Sequence, residues 1–212
     1  MLVDIPKLTK CVLVTAFKCV ETITMKNASM LEGMSVLKDA LAAKKEMDEE
    51  AKAMEQAEKN RVVIKSIAQL TSVSTLVAFI DVGNYCCKED VRGTVDWTRF
   101  VYLKELKVGN YCFKNIEVVK FVGMKHLEKV IIGKNCFTRM GCCSNALPDP
   151  NRHFYLKDCP RLKELKVGDS SFSDFTVCEV ENTPALEVFD IGCWCFPAVS
   201  SLQLNGERVS WG

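Results

Sequence analysis

The 212-residue sequence predicts a mainly β repeat solenoid with parallel strands on one face and one inserted α-helix. Two observations carry that prediction. One short apolar pattern recurs along the chain at a near-constant interval, the signature of stacked structural repeats. Inside the pattern the apolar residues alternate with period two, as a short strand requires. A third observation, one long run of strong helix formers without Gly or Pro, supplies the helix.

The pattern is plainest in four copies. Leu103-Lys-Glu-Leu106-Lys-Val108-Gly109-Asn-Tyr-Cys112-Phe113 is followed 24 residues later by Leu127-Glu-Lys-Val130-Ile-Ile132-Gly133-Lys-Asn135-Cys136-Phe137. Leu162-Lys-Glu-Leu165-Lys-Val167-Gly168-Asp-Ser-Ser171-Phe172 and, again 24 residues on, Leu186-Glu-Val-Phe189-Asp-Ile191-Gly192-Cys-Trp-Cys195-Phe196 repeat it. The Leu-x-Val pair faces inward from a strand, Gly lets the chain turn away, and Phe re-enters the core. Between the strands no 3.6-residue period runs, so short strands or irregular turns are expected there.

Weaker copies extend the array, and about seven repeats of some 24 residues then cover 1–212 as a single unit. Leu8, Cys11, Leu13 and Phe17 supply a first copy, Leu31-Glu-Gly-Met34-Ser-Val36 the front half of a second, and Val77-Ala-Phe-Ile80-Asp-Val82-Gly83-Asn-Tyr-Cys86-Cys87 a third. Six residues before each leading position runs a secondary apolar column of Met25, Trp97, Phe121, Leu156 and Val180, continued by Leu204. Two surpluses interrupt the spacing. The first, about 37–58, is the helical insertion, ~33 Å long at 1.5 Å per residue. It carries a thin stripe of Leu37, Leu41, Met47 and Met54 and more acidic residues than lysines. It reads as a charged helix lying on the solenoid flank, or as a projecting helix that pairs with a partner. The second, about 138–153, is punctuated by Asn, Pro, Asp and Gly and reads as a surface loop.

These repeats resemble leucine-rich repeats. Leu127-x-x-Val130-x-Ile132-x-x-Asn135-x-Phe137 is similar to the family pattern L-x-x-L-x-L-x-x-N-x-L, and the Val/Ile-Gly-x-x-Cys/Ser-Phe element resembles the I-G-x-x-A-F signature of the BspA-like subgroup. In other copies the Asn column holds Tyr85, Tyr111, Ser170 and Trp194, so the buried Asn ladder of that family is expected to be absent. The resemblance implies a scaffold that binds other proteins and performs no catalysis.

Composition agrees with a binding module. Lys and Arg total 28 against 27 Asp and Glu, a net charge of +1 that lacks the basic excess of a general nucleic-acid binder. No apolar stretch reaches the ~20 residues of a membrane helix. The amino terminus lacks a signal-peptide pattern, so a reducing, cytoplasmic setting is expected, in which the 12 cysteines are mostly free thiols. Cys86, Cys112, Cys136 and Cys195 stand before the Phe column where Ala16 and Ser171 stand elsewhere, as small buried side chains. Cys142, Cys143, His153 and Cys159 form the one set able to bind zinc as Cys3His, but adjacent cysteines are not a C-x-x-C knuckle. Cys193-Trp-Cys195 lacks the spacing of a thioredoxin-type redox pair. No nucleophile elbow, P-loop, H-E-x-x-H or dinucleotide fingerprint occurs. The expectation is therefore a protein partner, with no cofactor, metal, nucleic acid or membrane. A structural or surface-adhesion fragment of a larger repeat protein, able to self-associate end to end if uncapped, and a small metal-binding or redox protein are the rival readings.

If the strands stack side by side, their outward positions form one array, and this array is the expected protein-binding surface. It comprises Lys104, Glu105 and Lys107; Glu128, Lys129 and Ile131; Lys163, Glu164 and Lys166; and Glu187, Val188 and Asp190. Between the first two copies the signs reverse column by column, so neighbours can pair laterally. The same charges could equally serve only to keep an exposed sheet soluble.

Overall fold

Strands dominate the structure, a computed structural model that describes residues 34–139 and 147–199 together with the backbone of two short strands at 202–204 and 207–209. Two six-stranded sheets form, and from the second strand to the eleventh the chain alternates between them. The first sheet has β1 (Arg61–Ile64), β2 (Phe79–Val82), β4 (Glu105–Val108), β6 (Lys129–Ile132), β8 (Glu164–Val167) and β10 (Val188–Ile191) side by side, all parallel. The second has β3 (Thr94–Asp96), β5 (Val118–Val122), β7 (Asp149–Lys157), β9 (Phe175–Glu181) and β11 (Leu202–Leu204) in parallel, closed by the antiparallel β12 (Glu207–Val209).

The recurring pattern supplies both sheets. Leu106, Val130, Leu165 and Phe189 stand directly opposite one another in register, as do Val108, Ile132, Val167 and Ile191. The leading Leu103, Leu127 and Leu162 are fully buried beneath them; burying such a side chain contributes ~1.5–3 kcal/mol. The secondary column is the register of the second sheet. Phe121 opposes Leu156, Leu156 opposes Val180, and Val180 opposes Leu204. The segments between the main strands are thus strands themselves.

At the turn after each main strand from β2 onward the chain makes two left-handed steps per repeat. Tyr85, Tyr111, Asn135, Ser170 and Trp194 take φ of 54–60°, and Cys87, Phe113, Phe137, Phe172 and Phe196 take φ of 51–56°. An L-residue loses roughly 1–2 kcal/mol there, so surrounding contacts must hold the turn. Inside, Phe113, Phe137, Phe172 and Phe196 stack face to face at centroid separations of 4.9, 4.8 and 4.7 Å, the spacing of adjacent strands. The Gly column is demanded by close approach, since a Cβ on Gly133 would lie 2.7 Å from the Gly109 carbonyl carbon and 2.5 Å from Asn110 Oδ1.

The member of the array before β2 is not the one that the pattern indicated. Met34 begins helix α1 (Met34–Glu58), so Met34–Val36 are helical rather than the front half of a repeat. The strand that precedes β2 is β1, with Val62 opposite Ile80 and Ile64 opposite Val82. The short helix α2 (Ile67–Ser72) follows, its first turn capped by Ser66 Oγ, which accepts the Gln69 N–H at 3.1 Å. The segment read as a loop over 138–153 is divided: 140–146 lie outside the described residues, whereas Asp149–His153 open β7, across an irregularity in register. Residues 1–33, with the copy at Leu8–Phe17 and with Met25, also lie outside them.

The chain divides into two units, Met1–Ala53 and Met54–Gly212. In the first, the described part is the leading portion of α1, whose surface charges include a Lys45–Glu49 pair one turn apart at 3.9 Å. The second holds the sheets and their core. There Ala57 is fully buried and its carbonyl accepts the N–H groups of Asn60 and Ala78 at 2.9 and 3.1 Å. No described helix is long and apolar enough to cross a membrane.

Candidate functional site

The outward face of the first sheet is built by alternation. Because the Leu-x-Val residues point into the core, the residues between and before them point out, one row per register position. One row runs Arg61, Phe79, Glu105, Lys129, Glu164, Val188, and the next runs Val63, Asp81, Lys107, Ile131, Lys166, Asp190. Just before the strands, Lys104, Glu128, Lys163 and Glu187 lie one above another, each N–H of the later three bonding the carbonyl of the one before at 2.8–2.9 Å. Eight of the twelve residues expected on this surface therefore share one side of one sheet, and Lys104, Glu128, Lys163 and Glu187 form a row at the entry to its strands. Lys107, Lys163, Glu187, Val188 and Asp190 are exposed and the other seven half-buried.

Its charges are largely neutralised within the sheet. Lys129 bridges laterally to Glu164 at 2.6 Å, and along the strands Lys107 meets Glu105 at 2.5 Å and Lys166 meets Glu164 at 2.6 Å. Lys104 pairs with Glu58. Hydrogen bonds from Lys129 and then Lys166 hold the Glu164 carboxyl below the usual carboxylate range, and Glu164 in turn raises Lys166. Both shifts favour the charged forms of Glu164 and Lys166. A ligand approaching this face meets a grid of fixed, alternating charges about 4.8 Å apart across the strands, interrupted by Phe79, Ile131 and Val188.

Four residues of this face were missed in the sequence pattern. Arg61, Val63, Phe79 and Asp81 extend both rows by two strands; the Arg61 guanidinium lies 4.9 Å over the Phe79 ring and donates to Asp81 at 2.6 Å. Phe79 and Asp81 were readable from the copy at Val77–Cys87, since they flank Ile80 as Glu105 and Lys107 flank Leu106.

Two side-chain ladders fix the rim of the face. Asn84 Oδ1 accepts the Asn110 N–H at 2.7 Å, Asn110 Oδ1 accepts the Lys134 N–H at 2.8 Å, and Asp169 Oδ1 accepts the Cys193 N–H at 3.0 Å. An Asx ladder thus exists, one position before the column in which its absence was expected. The residues in that column, Tyr85 and Tyr111, instead stack on each other at 4.9 Å in solvent, with Lys88 over the Tyr85 ring. The second ladder is made of thiols. Cys112 donates to the Gly83 carbonyl at 3.0 Å, Cys136 to Gly109 at 2.9 Å, and Cys195 to Gly168 at 3.2 Å, while Ser171 Oγ does the same to Gly133 at 2.8 Å. These side chains are buried, as the repeat required, whereas Cys86 is half-buried. Burial raises the Cys87 thiol to about 12 and the Cys195 thiol to about 11, away from reactive values.

The zinc set is not assembled among the described residues. Cys142 and Cys143 lie outside them. Cys159 is buried with its thiol on the Lys157 carbonyl at 3.3 Å, and His153 is bonded to the Pro150 carbonyl and the Tyr155 hydroxyl at 2.8 and 3.0 Å. No described group of three or more His, Cys, Asp or Glu is arranged to hold a metal ion.

Behind the second sheet lies a buried charge cluster that no sequence signal marked. Arg152, fully buried, donates from Nε to the Ile116 carbonyl at 3.0 Å and from Nη2 to the Lys114 carbonyl at 2.8 Å, and it pairs with Asp174. Its guanidinium stands 4.8 Å from the Phe175 ring centroid. Arg139 bridges to Asp149 at 2.6 Å and Glu117 at 3.5 Å. This network ties the segments on either side of 140–146 to β5 and β9, a structural assignment.

Comparison with family models, with curated proteins and with solved structures gave no match to this chain.

Proposed function

We propose that this chain is a leucine-rich-repeat-like solenoid that acts as a cytoplasmic protein-interaction scaffold without catalysis, and that the outward face of its first sheet is the binding surface. One observation carries the reading: six parallel strands keep a common register, so two rows of outward side chains run unbroken from Arg61 to Val188 and from Val63 to Asp190. A rigid grid of this kind presents preordered side chains and so spares a partner much of the ordering cost of binding. With the pairs already satisfied within the sheet, specificity rests on the places where the charge pattern is broken by Phe79, Ile131 and Val188, and on the exposed heads of Lys107 and Lys166.

The test is affinity capture with wild type and with Lys107→Glu/Lys166→Glu. Reversal sets acid against Glu105 and Glu164, but both lysine side chains are nearly half exposed; each exposed pair contributes ~0–1 kcal/mol, so the fold should persist. Partners recovered by wild type and lost by the variant, at unchanged thermal unfolding, support the reading. Equal recovery of every partner by both proteins removes this face as the binding surface. Leu106→Asp, which buries an unpaired charge, marks the unfolded limit in the same assay.

A further inference from the structure

The first sheet is parallel throughout, so its two edges differ from one another, and each matches the other. Among the described residues β1 and β10 each have one sheet neighbour. In β10 the Val188 N–H bonds the Lys163 carbonyl at 2.9 Å and the Gly192 N–H bonds the Val167 carbonyl at 2.7 Å, so Val188, Asp190 and Gly192 turn their backbone toward β8. In a parallel strand successive residues face opposite neighbours, which leaves the N–H and C=O of Phe189 and Ile191 directed at the open side. In β1 the Ile64 carbonyl accepts the Gly83 N–H at 3.3 Å. Val62 and Ile64 therefore face β2, and Arg61 and Val63 face the open side. Inside the sheet every junction joins the same two classes: inward-facing residues of one strand bond outward-facing residues of the next.

The side chains repeat the match. In the interior, Leu162, Leu165 and Val167 are 0–4% exposed, whereas their counterparts at the β10 end, Leu186, Phe189 and Ile191, are only partly buried. An added strand with two inward apolar residues would cover them, and β1 offers Val62 and Ile64. In the register of the internal junctions, Asp190 falls diagonally across from an incoming Arg61, at the same two-residue offset as Asp81 within the chain but on the opposite side of the arginine, which already donates to Asp81. The second sheet lacks such an edge here, because β12 pairs antiparallel with β11.

We propose that the β10 edge of one molecule binds the β1 edge of a second copy of this chain, continuing the first sheet in parallel with Val188 beside Arg61 and Ile191 beside Ile64. The contact is heterologous and leaves one free edge of each kind, so association is open-ended rather than closing at a dimer.

Sedimentation equilibrium over a wide concentration range, on the full chain, tests this with two variants at exposed positions. Val188→Lys sets a cation directly beside the incoming Arg61, and Val63→Glu sets an acid beside Asp190. Wild type is expected to show an average mass above 23.8 kDa that rises without a plateau. Each variant alone is expected to stay monomeric with its circular dichroism unchanged, and an equal mixture of the two is expected to stop at a dimer, through the one junction both leave intact. A wild type monomeric into the millimolar range overturns the proposal, as does association of Val63→Glu alone, which would mean that two β10 edges pair with each other. A mixture that stays monomeric overturns it too.

Discussion

The Cys136 thiol donates to the Gly109 carbonyl of the preceding repeat at 2.9 Å, and in the repeat that follows the Ser171 hydroxyl donates to Gly133 at 2.8 Å. Before Phe113, Phe137, Phe172 and Phe196 the column therefore holds a small side chain with a donor, and the donor is used. Cys136→Ser should keep the bond and change stability little, whereas Cys136→Ala leaves the Gly109 carbonyl without that donor and should cost about 0.5–1.5 kcal/mol. Urea unfolding of the two variants reads the difference; equal midpoints would reduce the column to a size filter.

Identical backbone strain should give opposite mutational signs at two neighbouring positions. Trp194 has φ 60° and is 65% exposed; Phe172 has φ 56° and is fully buried between Phe137 and Phe196. Glycine relieves the left-handed strain at either site. Trp194→Gly gives up little burial and should stabilise by roughly 0.5–1 kcal/mol after the entropy of the unfolded chain is set against the gain. Phe172→Gly empties a stacked core position and should destabilise by about 3–5 kcal/mol, as large-to-small core changes do. Thermal melts of both would decide it, and a destabilised Trp194→Gly would show that the exposed indole is held by contacts worth more than the strain.

What the sequence made legible is what burial makes periodic. Leu103, Leu106, Val108 and Phe113 recur because each must enter the same core layer, and the outward rows followed from them by alternation. Strand β1 escaped because its repeat has Lys59 where others have Leu, Lys65 where others have Gly and Gln69 where others have Phe; only Val62 and Ile64 keep the pattern. The edge that Arg61 and Val63 form escaped with it. The left-handed turns were illegible for another reason. Tyr, Ser, Cys and Trp carry no preference for positive φ, so only the stacked geometry forces them there. Arg152 and Asp174 carried no spacing signal at all, since they meet only because β7 and β9 lie side by side.

Acid should loosen the Arg139–Asp149 corner. The Asp149 carboxyl is held below the usual carboxylate range chiefly by the Asn151 N–H at 2.9 Å and also by Arg139 at 2.6 Å, with burial opposing. A carboxyl with a depressed native pKa contributes stability above its unfolded pKa, ~3.9, and that contribution is lost as pH falls through the native value. Asp149→Asn should therefore be less stable than wild type at neutral pH, and the gap should close below about pH 4. Urea midpoints measured across that range check it; a constant gap would assign the loss to packing.

Helix α1 has a removable part and a part that the sheets use. From Asp39 to Lys52 its side chains are mostly exposed and carry i,i+4 pairs such as Lys45–Glu49, which contribute only ~0.3–0.5 kcal/mol each. After that stretch, Ala57 is fully buried, its carbonyl accepts the Asn60 and Ala78 N–H groups, and Glu58 pairs with Lys104 beside β4. The helix thus cannot be cut back to residue 58, as its surplus in the repeat spacing suggests. Replacing residues 39–53 by a short Gly/Ser linker should leave cooperative unfolding of the sheets in place, because a change in loop length alters closure entropy by only about 0.6 kcal/mol per doubling. Extending the replacement through 58 should broaden or lower the transition, and so should Ala57→Asp in the intact chain, which buries a charge with no partner. Calorimetry on the three proteins checks the boundary. If the longer replacement melted like the shorter one, Ala57 would be a passenger of the helix rather than part of the core.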